Sequence, residues 1–273
     1  MLSVISVNLN GIRAAHKNGG LEWIKSLVDS GQADIVCFQE VRANDEQFLE
    51  TLEAAGLHKL SSVHSRSEKK GHAGVAIVST LPILSNTSGI GSFKKQGRWI
   101  EADFKTPLGT LKVINVYVHT GDETSVEKQS EKESFLKAMT KTMKEMAAAA
   151  SSKNHYLLVG DLNVGHTELD IKNHKGNVGK AGFLETERAF FDTWFDDLAW
   201  VDLGRTFAGE VPGPYTWWSW RGKAFDNDAG WRIDYQLATK QLAGKLTHYQ
   251  VHRAPSYDTR WSDHAPIQTI FSK

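Results

Sequence analysis

The chain has one cysteine, no net charge, no basic leader and no long apolar run, and each shortage removes a class of protein. With Cys37 alone among 273 residues, no intrachain disulfide can form. Placed inside Ile35-Val36-Cys37-Phe38, the thiol reads as a small buried core residue, and a reducing cytoplasm is the expected setting. The 32 basic and 32 acidic side chains cancel, and the pI lies near 7.2. No global basic field therefore advertises nucleic acid, and such a partner would have to be held by local patches. The N-terminus enters a strand directly, and no segment approaches the ~18 apolar residues of a membrane span. A soluble, unexported protein with no membrane partner is expected.

What is present is 40% hydrophobic sequence, enough for a large core, and one α/β domain over residues 1–273 is the preferred division. Leu111 to Val118 is apolar on both faces, the mark of a strand buried on both sides. Stripes of 3.6-residue period predict helices at Leu21, Ile24, Leu27 and Val28, at Phe48, Leu49 and Leu52, at Leu136, Met139, Met143 and Met146, and at Phe190, Phe191, Trp194, Phe195 and Leu198. Gly31 and Gly56 fall where left-handed cap residues are expected, and Ala147 to Ala150 reads as a fraying end. The order of elements, to about residue 160 and then again to the end, suggests two similar halves packed sheet on sheet with helices outside.

The chemistry gathers at strand ends. The pentad Gly160-Asp161-Leu162-Asn163-Val164 closes the apolar run Tyr156 to Val159 and fixes a carboxylate and a carboxamide on a strand's rim. Asn8 and Asn10 follow Leu2 to Val7, Glu40 follows Ile35 to Phe38, and Tyr117 closes another strand. Asp234 and His264 lie early in theirs, and in a mixed sheet the starts of some strands abut the ends of others. All six of Asn8, Glu40, Tyr117, Asp161, Asp234 and His264 are thus free to share one rim, which suits metal-dependent hydrolysis. Taken singly, each is more readily a turn or cap former.

The ordered set Ser6-Val7-Asn8-Leu9-Asn10-Gly11, Gln39-Glu40, Asn115-Val116-Tyr117, Gly160-Asp161-Leu162-Asn163, Gly230-Trp231-Arg232-Ile233-Asp234 and Ser262-Asp263-His264 closely resembles the exonuclease III family of apurinic/apyrimidinic endonucleases. The resemblance spans essentially the whole chain. It implies a deoxyribonuclease I-like four-layer α/β sandwich, two mixed and mostly antiparallel sheets face to face with helices outside. It also implies hydrolysis of the phosphodiester 5′ to an abasic site, with 3′-5′ exonuclease and 3′-phosphodiesterase activity. The cofactor would be Mg2+, with Mn2+ as a substitute, since magnesium takes one or two carboxylates beside substrate phosphate oxygens. Glu40 would be its direct ligand with Asn10 and Asp263 nearby, although the family often carries an aspartate where this chain has Asn10. Asp161 would orient or deprotonate the attacking water and Asn163 would hold it or the phosphate in line. His264, its tautomer fixed by Asp234, and Tyr117 would hydrogen-bond phosphate oxygens, with Asn8 orienting the network. On this basis either Asp161 or His264 could be the base.

Substrate recognition is expected from other residues. By resemblance, Trp217, Trp231 and Ile233 form a small apolar pocket for a baseless deoxyribose turned out of the duplex, whereas Trp218 and Trp220 read equally well as core. Asn173 to Asn177 matches a family loop near the abasic site, with Asn173 and Asn177 as phosphate contacts, and Arg221 stands where some members insert a side chain into DNA. Lys69-Lys70-Gly71, Lys94-Lys95 with Arg98, and Arg221-Gly222-Lys223 are candidate phosphate-contacting loops. After Tyr117 the chain reads Val118-His119-Thr120-Gly121-Asp122-Glu123, where family members often have a proline and an asparagine, so the balance of exonuclease and endonuclease activity is open. The expected partner is double-stranded DNA bearing abasic sites or 3′ ends, acted on by a monomer. The rival readings are a superfamily hydrolase of inositol phosphates or sphingomyelin, and a catalytically weakened DNA-binding protein.

Overall fold

Alternation along the strands sets the layers of the molecule. A computed structural model describing Met1–Lys273 contains, in chain order, β1 (Leu2–Asn8), β2 (Ile35–Gln39), β3 (Ser61–Ser65), β4 (Val75–Ser79), β5 (Ser85–Ser88), β6 (Trp99–Thr106), β7 (Gly109–Tyr117), β8 (Asn154–Asp161), β9 (Trp200–Asp202), β10 (Asp234–Thr239), β11 (Leu246–Val251) and β12 (Ile267–Phe271). In β1, Leu2 and Val4 join one buried cluster while Ile5 and Val7 join another, and Ile35 and Cys37 separate from Val36 and Phe38 in the same way. Successive side chains of a pleated strand must diverge like this. The first cluster is shared with Leu111 and Val113 of β7 and Leu157 and Val159 of β8, so it lies between two sheets. The outer faces are covered by helices: Gly20–Asp29 and Asp45–Ala54 over one sheet, Val126–Ala149 and Glu185–Asp192 over the other.

Each sheet has six strands, in the orders β11-β12-β1-β2-β4-β3 and β5-β6-β7-β8-β10-β9. Each contains one parallel pair, β1 with β2 and β7 with β8, and is otherwise antiparallel. A parallel pair needs a crossover, and the helices between β1 and β2 and the long Val126–Ala149 helix supply it. The halves do not divide near residue 160. One sheet takes residues 2–79 and 246–271 and the other residues 85–239, so β8 sits inside the second sheet. The last two strands return to the free edge of β1, a pairing invisible in element order.

The helical stripes appear as the periodicity predicts: Leu21 and Ile24, Phe48 and Leu52, and Leu136, Met139, Met143 and Met146 are buried. Leu49, counted in the second stripe, is 57% exposed. The Phe190 to Leu198 stripe begins on the helix Glu185–Asp192 and continues in a wider turn, Thr193–Asp197, that buries Trp194. Gly31 and Gly56 have φ of 71° and 72°, the left-handed region glycine enters without a Cβ penalty. No helix is long and apolar enough to cross a membrane.

One end of the layer between the sheets turns polar. Asn8 continues the inward parity of Leu2 and Val4, and Asp161 that of Leu157 and Val159. There Gln39 Nε2 donates to Asn115 Oδ1 at 2.7 Å, and Asn115 Nδ2 donates to the carbonyls of Phe38 (2.9 Å) and Ala76 (2.8 Å). These bonds clamp the sheets together at the end where the cavity opens, since buried amides left unpaired would be costly.

Candidate active site

Strand pairing assembles the site. Tyr117 ends β7 opposite Asp161 at the end of parallel β8, and Asp234 begins antiparallel β10 opposite the same Asp161. The reversal of direction brings the start of one strand to the end of its neighbour. Asn8 reaches across from the other sheet, its Nδ2 donating to Asp161 Oδ2 at 2.9 Å and to Glu40 Oε1 at 3.0 Å. His264 precedes β12 rather than lying within it. The Ser262 hydroxyl donates to the Asn8 carbonyl (2.7 Å) and accepts the His264 N–H (3.2 Å), fixing that short approach to the strand.

Asp161 is the hub. Its Oδ1 accepts the Asn163 N–H at 3.0 Å, and its Oδ2 lies 3.7 Å from His264 Nε2. The other imidazole nitrogen, Nδ1, is 2.8 Å from Asp234 Oδ2. Asn163 Nδ2 donates to the Val118 carbonyl at 2.9 Å. Asn10, Glu40 and Asn163, each just beyond a strand, have φ near 50°, a region non-glycine residues seldom occupy and one that concentrates at functional sites.

The electrostatics follow from burial among like charges. Burial pushes the Asp161 carboxyl up, with Asp234 and Glu40 adding to the rise and His264 and Asn8 opposing it, to about 7. Burial works against a charged imidazole, yet Asp234 and Asp161 outweigh it and raise His264 to about 10. Tyr117 is driven well above its ordinary range by burial and by Glu40 and Asp161, while the Arg98 guanidinium lies 4.6 Å over its ring.

Glu40, Tyr117, Asp161, Asn163, Trp217, Trp231, Ile233, Asp263 and His264 all line one cavity of about 350 Å³. Asn8 and Asp234 stand behind its wall. Asn10 Nδ2 donates to Asp263 Oδ1 (3.0 Å) and Trp217 Nε1 to Asp263 Oδ2 (3.2 Å), which places Asn10 beside the rim. The second oxygen of Glu40 is held by Arg42. Ligand atoms of Asp161, Asp234 and His264 all lie within 4.8 Å of one another. In that group the imidazole already stands between the two carboxylates, whereas Glu40 and Asp263 on the same cavity offer the hard oxygen donors that suit a divalent cation.

Trp217 and Trp231 meet edge to face at 6.4 Å, joined by reciprocal backbone hydrogen bonds of 2.9 Å. Arg232 anchors that wall from behind, donating to Asp170 and Asp202 at 2.7 Å each, and the Thr216 hydroxyl accepts the N–H groups of Ile233 (3.2 Å) and Asp234 (3.1 Å). Trp218 is buried against Phe225, whereas Trp220 is 42% exposed. Asn173 precedes and Asn177 ends a one-turn helix, His174–Asn177, that follows an Ile171–Trp231 bridge to the wall. Asn173 is exposed, Asn177 turns its amide to the Asn173 carbonyl (2.9 Å), and neither lines the cavity. Arg221 is exposed on a separate loop. Lys69 and Lys70 share a second cleft of about 570 Å³ with Arg13, Arg42 and Arg66. Lys95 pairs with Glu68 at 2.9 Å. Arg98, expected as a phosphate-contacting residue, lies over the Tyr117 ring. Arg42 and Thr216 carry no signal in the sequence, since nothing in their spacing marks a side-chain role.

The pattern of the Endonuclease/Exonuclease/phosphatase family matches residues 5–264, and the chain belongs to that family. Among its relatives, an exodeoxyribonuclease of Bacillus subtilis is 31% identical over 273 residues, covering 99% of this chain and 100% of the relative. Exodeoxyribonuclease III of Haemophilus influenzae is 29% identical over 280 residues, covering 99% of this chain and 100% of its own. An AP endonuclease from Archaeoglobus fulgidus and a 3′-5′ exonuclease from Neisseria meningitidis each superpose with a TM-score of 0.84 at 26% identity, with both chains covered completely. The two-sheet sandwich with outer helices is the fold of these nucleases.

Proposed function

We propose that this chain hydrolyses the DNA phosphodiester 5′ to an abasic site, using Mg2+ or, in its place, Mn2+, and that the same site trims 3′ ends. The protein is a DNA repair hydrolase of the exodeoxyribonuclease III and AP endonuclease type. The single observation carrying the finer reading is the convergence of Glu40, Asp161 and His264, with Asp234 behind, on one cavity that Trp217, Trp231 and Ile233 also line.

Glu40, with Asn10 and Asp263 beside it, would hold the ion, which when bound supplies neutralisation of charge on the phosphate and leaving oxygen. Asp161 accepts the proton of the attacking water, since burial among like charges raises its carboxyl toward the neutral range that suits a general base. His264, raised to about 10, is already protonated there and so acts as donor to a phosphate oxygen rather than as base. Asp234 orients the imidazole through Nδ1. Tyr117, which keeps its proton, donates a further hydrogen bond, and Asn8 holds Asp161 and Glu40 in register. Asn163 commits Nδ2 to the Val118 carbonyl, which leaves Oδ1 to align the water.

The aromatic wall of Trp217, Trp231 and Ile233 takes a baseless sugar, and extruding a nucleotide that has no pairing to lose is cheap. Asn173, Asn177 and Arg221 contact the backbone from their loops, and the basic cleft around Lys69 and Lys70 extends the grip along the duplex. The chain acts as a single monomeric unit over residues 1–273 in the cytoplasm. The test is a purified protein given an abasic duplex, a 3′-recessed duplex and an inositol phosphate, with Mg2+ or with chelator. Incision 5′ to the abasic site, abolished by chelator, is expected. Turnover of the inositol phosphate alone would refute the reading.

A further inference from the structure

A buried ion pair under the cavity has no part in the chemistry above. Lys132, within the Val126–Ala149 helix, and Glu187, on Glu185–Asp192, are both inaccessible to solvent, with Nζ 2.7 Å from Oε1. Such a pair forfeits the hydration of two ions, and a well-packed apolar pair of similar volume is often as stable or more so. Its hydrogen bonds indicate what it does instead. Lys132 Nζ also donates to the main-chain carbonyls of Thr120 (3.0 Å) and Asn163 (2.9 Å). Glu187 Oε2 accepts the peptide N–H groups of Gly182 (2.7 Å) and Leu184 (3.2 Å), and Oε1 accepts the Gln129 amide (3.0 Å).

Thr120, Asn163 and Gly182 are cavity-lining residues on three different segments: one after β7, one after β8 and one before Glu185–Asp192. The pair therefore ties together three stretches of wall that have no regular secondary structure of their own. The fit leaves little slack. A Cβ on Gly121 (φ +79°) would lie 2.7 Å from Gln129 Oε1 and 2.9 Å from Lys132 Cδ, and one on Gly182 (φ +86°) 3.2 Å from the Asn163 carbonyl oxygen and from the Trp231 ring. Near the surface, Glu123 repeats the device by accepting the Ala181 N–H at 3.0 Å.

We infer that Lys132 and Glu187 form a positioning pair for hydrolysis. By holding the Asn163 carbonyl, Lys132 sets the adjoining Asn163 peptide, whose N–H donates to Asp161 Oδ1. By holding Gly182, Glu187 fixes the edge on which Trp231 rests. The inference rests on the nuclease reading, and its test separates the two.

Lys132→Met alone strands a buried carboxylate and is expected to lower Tm. The double variant Lys132→Met with Glu187→Gln removes both charges and is expected to recover most of that loss. Assayed well below its Tm on abasic and 3′-recessed duplexes, the double variant is expected to lose roughly tenfold to a hundredfold in kcat, the scale of a misplacement near 1 Å, with KM nearly unchanged. A double variant with near wild-type kcat overturns the inference, as does a kcat deficit that tracks the unfolded fraction. Should the double variant not fold, Gly121→Ala, which presses the loop off Lys132, is expected to lower kcat at constant KM, and wild-type kcat there overturns the inference equally. A wild-type protein unable to incise either duplex removes the nuclease reading itself.

Discussion

The carboxylate wall and the loops expected to grip DNA are built on opposite principles. Asn8, Glu40, Asp161, Asp234 and His264 are all below a tenth exposed, sit at or next to strand ends, and are joined by hydrogen bonds that cross both sheets. Asn173 and Arg221 are exposed on loops, Arg221 held by little more than its own N–H to the Ser219 hydroxyl (3.1 Å). The first arrangement holds the proposed reacting groups in place before substrate arrives, which transition-state stabilisation requires. The second leaves side chains to adapt to a duplex whose sequence is not read. Between them, the Trp217–Trp231 wall is half of each, exposed to the cavity yet pinned from behind by Arg232 and Thr216.

Breaking the rigid wall has the largest expected effect. Asp161→Asn is expected to depress abasic-site incision on the order of 10³-fold, measured as single-turnover rate with Mg2+. A near wild-type rate would remove Asp161 from the role of base. The same substitution sharpens the contrast through stability. The carboxyl is raised from 3.8 to about 7 in the fold, so between those values the folded chain holds a proton that the unfolded chain has lost. Stability accordingly falls as pH rises through that window. In chelator, Asp161→Asn is therefore expected to change Tm more favourably at pH 8 than at pH 4, read by thermal melts, and a shift independent of pH would contradict the burial argument.

Next in size, His264→Ala is expected to cost on the order of 10²-fold in kcat through the lost phosphate donor. Asp234→Asn is expected to follow it in direction, with circular dichroism unchanged. Trp217→Ala belongs to the intermediate wall and is expected to reduce kcat/KM on the abasic duplex roughly tenfold while sparing frayed 3′ ends. Equal losses on both substrates would count against a sugar pocket. The adaptable loops give the smallest effect. Arg221→Ala is expected to weaken duplex binding a few-fold and to reduce the slope of log K against log salt by about 1, seen in a salt titration of binding. A loss confined to kcat would move Arg221 into the rigid set.

Much of this division was legible in the chain. Continuous apolar runs located β1, β7 and β8, and the polar residues that close them, Asn8 and Asp161, mark where an apolar interior becomes a site. The 3.6-residue stripes gave the helices, and Gly31 and Gly56 their ends. These are local properties, dictated by backbone sterics and by which side chains avoid water within a few residues. Thr216, Lys132 and Glu187 were illegible, because each acts on residues distant in sequence and only pairing brings them together. The division between the sheets was equally hidden: β11 and β12 close on β1 because an unpaired strand edge must be satisfied, and nothing within residues 246–271 says which edge. By itself the sequence determined the main strands and helices and the identity of the polar residues that meet in the cavity. Their convergence was decided by tertiary structure, since the register that sets Asp234 and Tyr117 beside Asp161, and the crossing of Asn8 from the opposite sheet, are long-range hydrogen-bond geometry that no local pattern encodes.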